Sequence, residues 1–222
     1  MINIVIRSLF VLLLLPLSSQ ASPSITCHCF TDRAYDPSRP ALADPYFLAT
    51  TQNSFFAALF KVDKNMIVMK KQAGNSADDL WIAYWVASGS GTTGEALLAA
   101  RDKKRSWQEV VVPLGLPAKS VGEQFVHAVT SGASAAKLAQ VVVDEVLVRQ
   151  RLLGEREIAS LRKEWASNQE IIITALIAAK IRRPAIGIYR DVKKGSKSWG
   201  ALLSEAKIQP ADIQAEFAAR LK

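Results

Sequence analysis

The sequence predicts an all-α protein, folded as a compact helical bundle or short helical array. Three observations carry that expectation. Half of the 222 residues are apolar, only 11 are glycine and 9 proline, and β-branched residues rarely alternate with polar ones, so the period-2 pattern of half-buried strands is missing. Ser-x-x-Asp/Glu capping signatures precede apolar runs at Ser76–Asp79, Ser106–Glu109 and Ser167–Glu170. Finally, one spaced signature occurs twice, which points to two diverged copies of a helical unit of about 90 residues.

That signature is Ser106-Trp107 followed by Leu116, Val121 and Phe125, and again Ser198-Trp199 followed by Ile208, Ile213 and Phe217. The intervals match without a gap. A lysine-rich turn precedes each copy, Asp102-Lys103-Lys104-Arg105 in one and Lys193-Lys194-Gly195-Ser196-Lys197 in the other. The chain accordingly divides into 1–21, 22–43, a first helical unit over 44–131 and a second over 132–222.

Residues 1–21 read as a secretory signal peptide. Arg7 carries the only charge, Leu9 to Leu15 form an apolar run, and Pro16 breaks it. Ser19 and Ala21 then put small residues at the −3 and −1 positions of a cleavage site before Ser22. The run is too short for a permanent anchor, which takes about 20 residues. Thr26 precedes Cys27 where a lipidation site wants a smaller residue, so release is favoured over lipid attachment. The expected location is periplasmic or secreted. No later stretch can span a bilayer: the most apolar, Ile171 to Ala179, is bounded by Glu170 and by Lys180, Arg182 and Arg183.

Residues 22–43 hold Pro23, Pro37 and Pro40 with Asp32, Asp36 and Ser38, an extended or turning segment. Asp44-Pro45 is an N-cap candidate for the first helix, whose Phe47, Leu48, Thr51, Phe55, Leu59 and Phe60 share a face. Asp63 caps Lys64 to Gln72, which Gly74 ends. Ser76 opens Ala77 to Ser88, and Gly94 to Lys104 follows a Gly/Ser/Thr loop. Ser106 opens a short helix stopping near Gly115, and a sixth helix runs from Ala118 to Thr130. In the second unit Ser134 begins a helix to Leu153, ended by Gly154. Glu155 to Ala166 follows, then Asn168 to Ile181 capped by Ser167. Pro184 opens a helix ending at Gly195, Ser198 caps Trp199 to Lys207, and Pro210 starts the last. Trp81, Trp85, Trp107, Trp165 and Trp199 all fall at helical core spacing and are read as core rather than as a sugar- or ligand-binding set.

Charge bears on partners. Cleavage removes one of 28 basic residues, Arg7, and none of the 20 acidic ones, leaving a formal charge of +7. That balance suits a protein partner or an anionic envelope polymer. DNA is disfavoured. The two tryptophan signatures resemble helix-turn-helix spacing, but the second would-be recognition helix carries Asp212 and Glu216, which repel phosphate.

Cys27-His28-Cys29 is the only local cluster of reactive side chains. Three chemistries fit it. An exported cysteine pair forms a disulfide, here either a strained small ring or a bridge between chains. A strained ring exchanges readily with other thiols. Two thiolates and the His28 imidazole also suit copper or zinc, with His127, the other histidine, as a further ligand if it folds nearby. The spacing lacks both the Cys-x-x-Cys of thioredoxin-like sites and the Cys-x-x-Cys-His of covalent haem attachment. A cysteine nucleophile with His127 as base has nothing in the sequence to bring it together. Gly89 to Glu95 imitates a phosphate loop, but Glu95 stands where lysine must neutralise phosphate. No paired carboxylates stand at glycosidase-like positions. The residues weigh against an enzyme and for an exported, non-enzymatic helical binding or adaptor protein. The alternative is a periplasmic metal-binding or thiol-redox protein acting through Cys27 and Cys29. No cofactor other than copper or zinc is implied.

Overall fold

The computed structural model describes residues 40–104 and 106–221. Within them the chain is helical throughout, with no strand. A 3₁₀ turn at Pro40–Ala43 leads into α1 (Asp44–Phe60), α2 (Lys64–Gln72), α3 (Ala77–Ser90), α4 (Gly94–Lys103) and α5 (Trp107–Val111). After a second 3₁₀ turn at Val112–Leu114 come α6 (Ala118–Val121), α7 (Glu123–Thr130), α8 (Ala135–Arg149) and α9 (Glu155–Lys163). The chain closes with α10 (Asn168–Ile181), α11 (Ala185–Lys193), α12 (Trp199–Glu205) and α13 (Ile213–Ala218).

Four helices make the centre. α1 packs on α10, α3 packs on α8, and smaller contacts of α1 with α3 and α8 with α10 complete a ring. Three of the members, α1, α3 and α10, have lost the one-sided pattern of surface helices. Every residue from Leu80 to Val86 in α3 and from Ile171 to Ile177 in α10 is buried, and so is all of Thr50 to Ala57 in α1. A helix apolar on all sides is stable only when covered on all sides. Each buried isoleucine of α10 contributes about 1.5–3 kcal/mol for doing so. The outer helices remain amphipathic: α9 buries Ile158 and Leu161 and turns its charges outward.

Local geometry recurs along the chain. α1 and α8, α2 and α9, α3 and α10, and α4 and α11 begin 91 residues apart, and α5 and α12 begin 92 apart. Three pairs of residues with left-handed backbone keep the same step. Gly74 pairs with Trp165 and Gly91 with Arg182 at an interval of 91, and Gly115 pairs with Lys207 at 92. Contacts follow suit: α1 packs on α10 and α13, and their counterparts α8 on α3 and α7.

The capping expectations hold where serine leads. Ser76, Ser106 and Ser198 accept from the third backbone N–H beyond them. Ser167 and Glu170 form the full reciprocal box.

Other expectations are corrected. Asp44 lies inside α1 rather than capping it, and its carboxylate accepts from Gly200 N–H at 3.2 Å, so it caps α12 instead. The single helix expected over Ala118–Thr130 is broken at Gly122, whose φ of 90° turns the chain out of helix. The break frees the Val121 carbonyl to accept Trp85 Nε1–H at 3.0 Å. It also brings the Gly122 backbone against Glu145, where an added Cβ would lie 2.9 Å from Cδ. α8 stops at Arg149, short of Leu153, because Arg151 turns left-handed and the Leu152 N–H bonds back to the Leu147 carbonyl at 2.9 Å. The last helix starts at Ile213 rather than Pro210, after a turn.

Candidate functional site

Cys27, His28 and Cys29 lie outside the described residues. His127, the other proposed ligand, sits exposed on α7. Among the described residues no group of three His, Cys, Asp or Glu side chains could hold a metal ion. Gly89 to Glu95 joins two helices, with Gly91 left-handed at the end of α3 and Thr93 capping α4.

A partly polar cleft lies between α7, α8 and α9. It has a volume of about 280 Å³, and Gln124, Asp144, Glu145, Glu155, Ile158 and Arg162 line it. A shallower depression beside it, of about 390 Å³, adds Glu123, His127 and Lys137. α8 supplies Asp144 from a turn that buries Val141–Val143 and Val146 against the core, so the carboxylate is half-buried beside apolar neighbours. Arg162 reaches it from the last turn of α9. Its Nη2 donates to Asp144 Oδ1 at 2.6 Å and its Nε donates to the same oxygen at 3.1 Å. Burial pushes the Asp144 carboxyl above its ordinary value, although the Arg162 hydrogen bonds and charge, and then Lys137, pull the other way.

Arg162 has little left for a ligand. Its Nη1 donates to the Ala166 carbonyl at 2.8 Å and its Nη2 also to Asn168 Oδ1 at 2.6 Å. The guanidinium therefore ties α8, the end of α9 and the start of α10 into one clamp. In the first half the same two positions, each 91 residues earlier, hold Asn53 and Lys71. Lys71 Nζ donates to Asn53 Oδ1 at 2.6 Å. Here a neutral amide stands where the other pair has a carboxylate, and burial lowers the Lys71 ammonium below the usual lysine value. The clamp is structural in both halves, with its charges balanced only in the second.

The cleft presents carboxylates, an imidazole and an ammonium among its lining groups. None of its lining residues is a serine, threonine or cysteine that could act as a nucleophile.

The tryptophans divide. Trp81, Trp85, Trp107 and Trp199 are buried as expected, but Trp165 is 90% exposed. The heptad-like spacing was misleading because α9 ends at Lys163 and Trp165 occupies the turn beyond it, at φ 65°. No position-specific signal in the sequence marks that turn, since a left-handed helix end usually shows itself by glycine or asparagine. Comparison with known proteins finds no matching family model, no matching curated protein and no matching solved structure.

Proposed function

We propose that this chain is an exported, non-enzymatic helical protein that works by presenting a surface to another macromolecule, and that it is built as two diverged copies of a unit of about 90 residues. One observation carries the functional part: in the α7–α8–α9 cleft the strongest polar group, Arg162, is committed to Asp144, Ala166 and Asn168. Side chains used to hold helices together are not free to turn over a substrate. The duplication is supported by the shared step of helix starts and left-handed residues. Export is supported by the pattern of residues 1–21, and an anionic or protein partner by the formal charge of +7 left once Arg7 is removed.

A second reading is favoured by the Cys27-His28-Cys29 sequence alone: copper or zinc binding, or thiol exchange, through Cys27 and Cys29. Protein purified from the cell envelope separates the two. The first reading expects an N-terminus at Ser22, no stoichiometric copper or zinc, and a melting temperature unchanged by Cys27→Ser with Cys29→Ser. Stoichiometric metal or disulfide exchange that the double substitution abolishes would overturn it in favour of the second.

A further inference from the structure

Trp165 is placed where a folded chain gains nothing from it. The turn after α9 closes with Trp165 N–H on the Arg162 carbonyl at 3.0 Å and Ala166 N–H on the Leu161 carbonyl at 3.1 Å. That is the Schellman pattern, which wants glycine at the left-handed position. The corresponding turn after α2 makes the same two bonds, Gly74 to Lys71 and Asn75 to Lys70, both at 3.1 Å, and has glycine there. A bulky residue at φ 65° is strained, and an indole 90% exposed recovers none of that through packing. Strain kept at an exposed position points to a use outside the fold.

Cations gather around Glu164 and Tyr189, beside the turn that carries it. Lys163 is exposed two residues before the indole. From α11, Tyr189 Oη–H donates to the Glu164 carbonyl at 3.0 Å, and Arg190 Nε donates to the Glu164 carboxylate at 2.9 Å. Lys193 Nζ stands 5.4 Å from the Tyr189 ring centre, and Lys194 is close enough to help hold the Glu164 carboxyl below its usual value. Four cations thus face two carboxylates, Glu164 and Glu170, the latter already bound to Lys193 and to its own helix cap. None of the described clefts includes Trp165, so the indole is a protruding tip and not the wall of a pocket.

We infer that Trp165 and the basic end of α11 form a docking tip for an anionic phospholipid surface. A protruding indole settles at the headgroup boundary, apolar body inward and N–H toward water, while Lys163, Lys193 and Lys194 meet the phosphates. The inference rests on the reading of the chain as an exported binding protein and names one partner for it.

Fluorescence of the full chain on vesicles tests this. Trp165 is the exposed tryptophan and the other four are buried, so the fraction quenched by aqueous acrylamide reports it alone. Residues 9–15 can also meet a bilayer, and this local readout is indifferent to them. With phosphatidylglycerol/phosphatidylcholine vesicles the acrylamide-accessible fraction should vanish and quenching by brominated acyl chains should appear. Pure phosphatidylcholine should leave it unchanged. Lys193→Glu with Lys194→Glu should raise the lipid concentration needed by about tenfold or more. Trp165→Gly should fold normally, with the accessible fraction missing from the start. Equal acrylamide access with and without anionic vesicles overturns the inference, as does equal shielding by both lipids. Trp165 left accessible on vesicles but shielded by an acidic protein would overturn the lipid assignment while sparing the binding reading, which fails instead through metal or thiol chemistry.

Discussion

Gly200 and Gly187 look alike in the sequence, both glycines inside helices of the second half, yet replacing each by alanine should move stability in opposite directions. Gly200 sits in the first turn of α12, pressed on the start of α1. A Cβ added there would lie 2.6 Å from Phe47 Cε2 and 3.3 Å from Cδ2. Carbon atoms pack at about 3.5–4.0 Å, so the ring or the helix must retreat by about 1 Å. Phe47 is 1% exposed and packs edge-on against Tyr46 with centroids 5.5 Å apart, so the ring has no room. Moving α12 instead would strain the Gly200 N–H bond to Asp44. Overpacking of this kind costs about 1–3 kcal/mol, against which the helix preference of alanine returns at most about 1 kcal/mol. Gly200→Ala should therefore lose about 1–2 kcal/mol. Gly187, in α11, has nothing within 4 Å of its added Cβ and no positive φ, so Gly187→Ala should gain about 0.5–1 kcal/mol. Urea melts with unchanged m-values measure both. Shrinking the ring with Phe47→Leu should recover part of the Gly200→Ala loss, a coupling of about 1 kcal/mol. A neutral or stabilising Gly200→Ala, or no coupling, would refute the packing of α12 on α1.

Two further substitutions probe the interior. Thr174 is fully buried in α10 and its Oγ1 has no hydrogen-bond partner. Thr174→Val keeps the shape and removes the unsatisfied hydroxyl, so the melt should show a gain of about 1–2 kcal/mol, and a loss of similar size would mean that the hydroxyl is satisfied in solution. Lys71 gives a pH test. Burial lowers its folded pKa, so the unfolded chain binds the proton more tightly and stability rises as pH climbs through the folded value toward the ordinary lysine value. Lys71→Met should accordingly be less harmful at pH 7 than at pH 10. Losses that are equal at both, or larger at pH 7, would contradict a desolvated ammonium.

The serine-led helix starts were legible and the ends of α8 and α9 were not, for one physical reason. An N-cap is made by its own side chain: Ser76, Ser106, Ser167 and Ser198 accept from nearby backbone N–H groups, and those residue types are visible in the sequence. Those two ends rest on left-handed backbone at Arg151 and Trp165, residues that announce no turn. α8 was accordingly extended to Gly154, the nearest glycine, and Trp165 was taken for core. The clamp of Asp144 on Arg162 joins residues 18 apart across a turn, beyond the reach of helical periodicity. Its echo in Asn53 and Lys71 at the same separation was the one available sign. It was hidden because both chemical types had changed.

Alignment of the halves in sequence does not make them separable in space. The expected division at residue 131 falls between α7 and α8, and those two helices pack together across it. α1 takes its main partners, α10 and α13, from the far half, just as α8 takes α3 from the near one. The core is accordingly a single cluster running from Ala43 to Phe217. A change at Phe47 or Gly200 is felt by both halves because each touches the other. Each clamp lies on its own half, a carboxylate with a guanidinium in one and an amide with an ammonium in the other. The turn after α2 holds glycine and the turn after α9 an exposed tryptophan. The difference between the two clamps therefore touches the buried ring itself, at Asn53 on α1 against Asp144 on α8, as well as the outer helices, at Lys71 on α2 against Arg162 on α9.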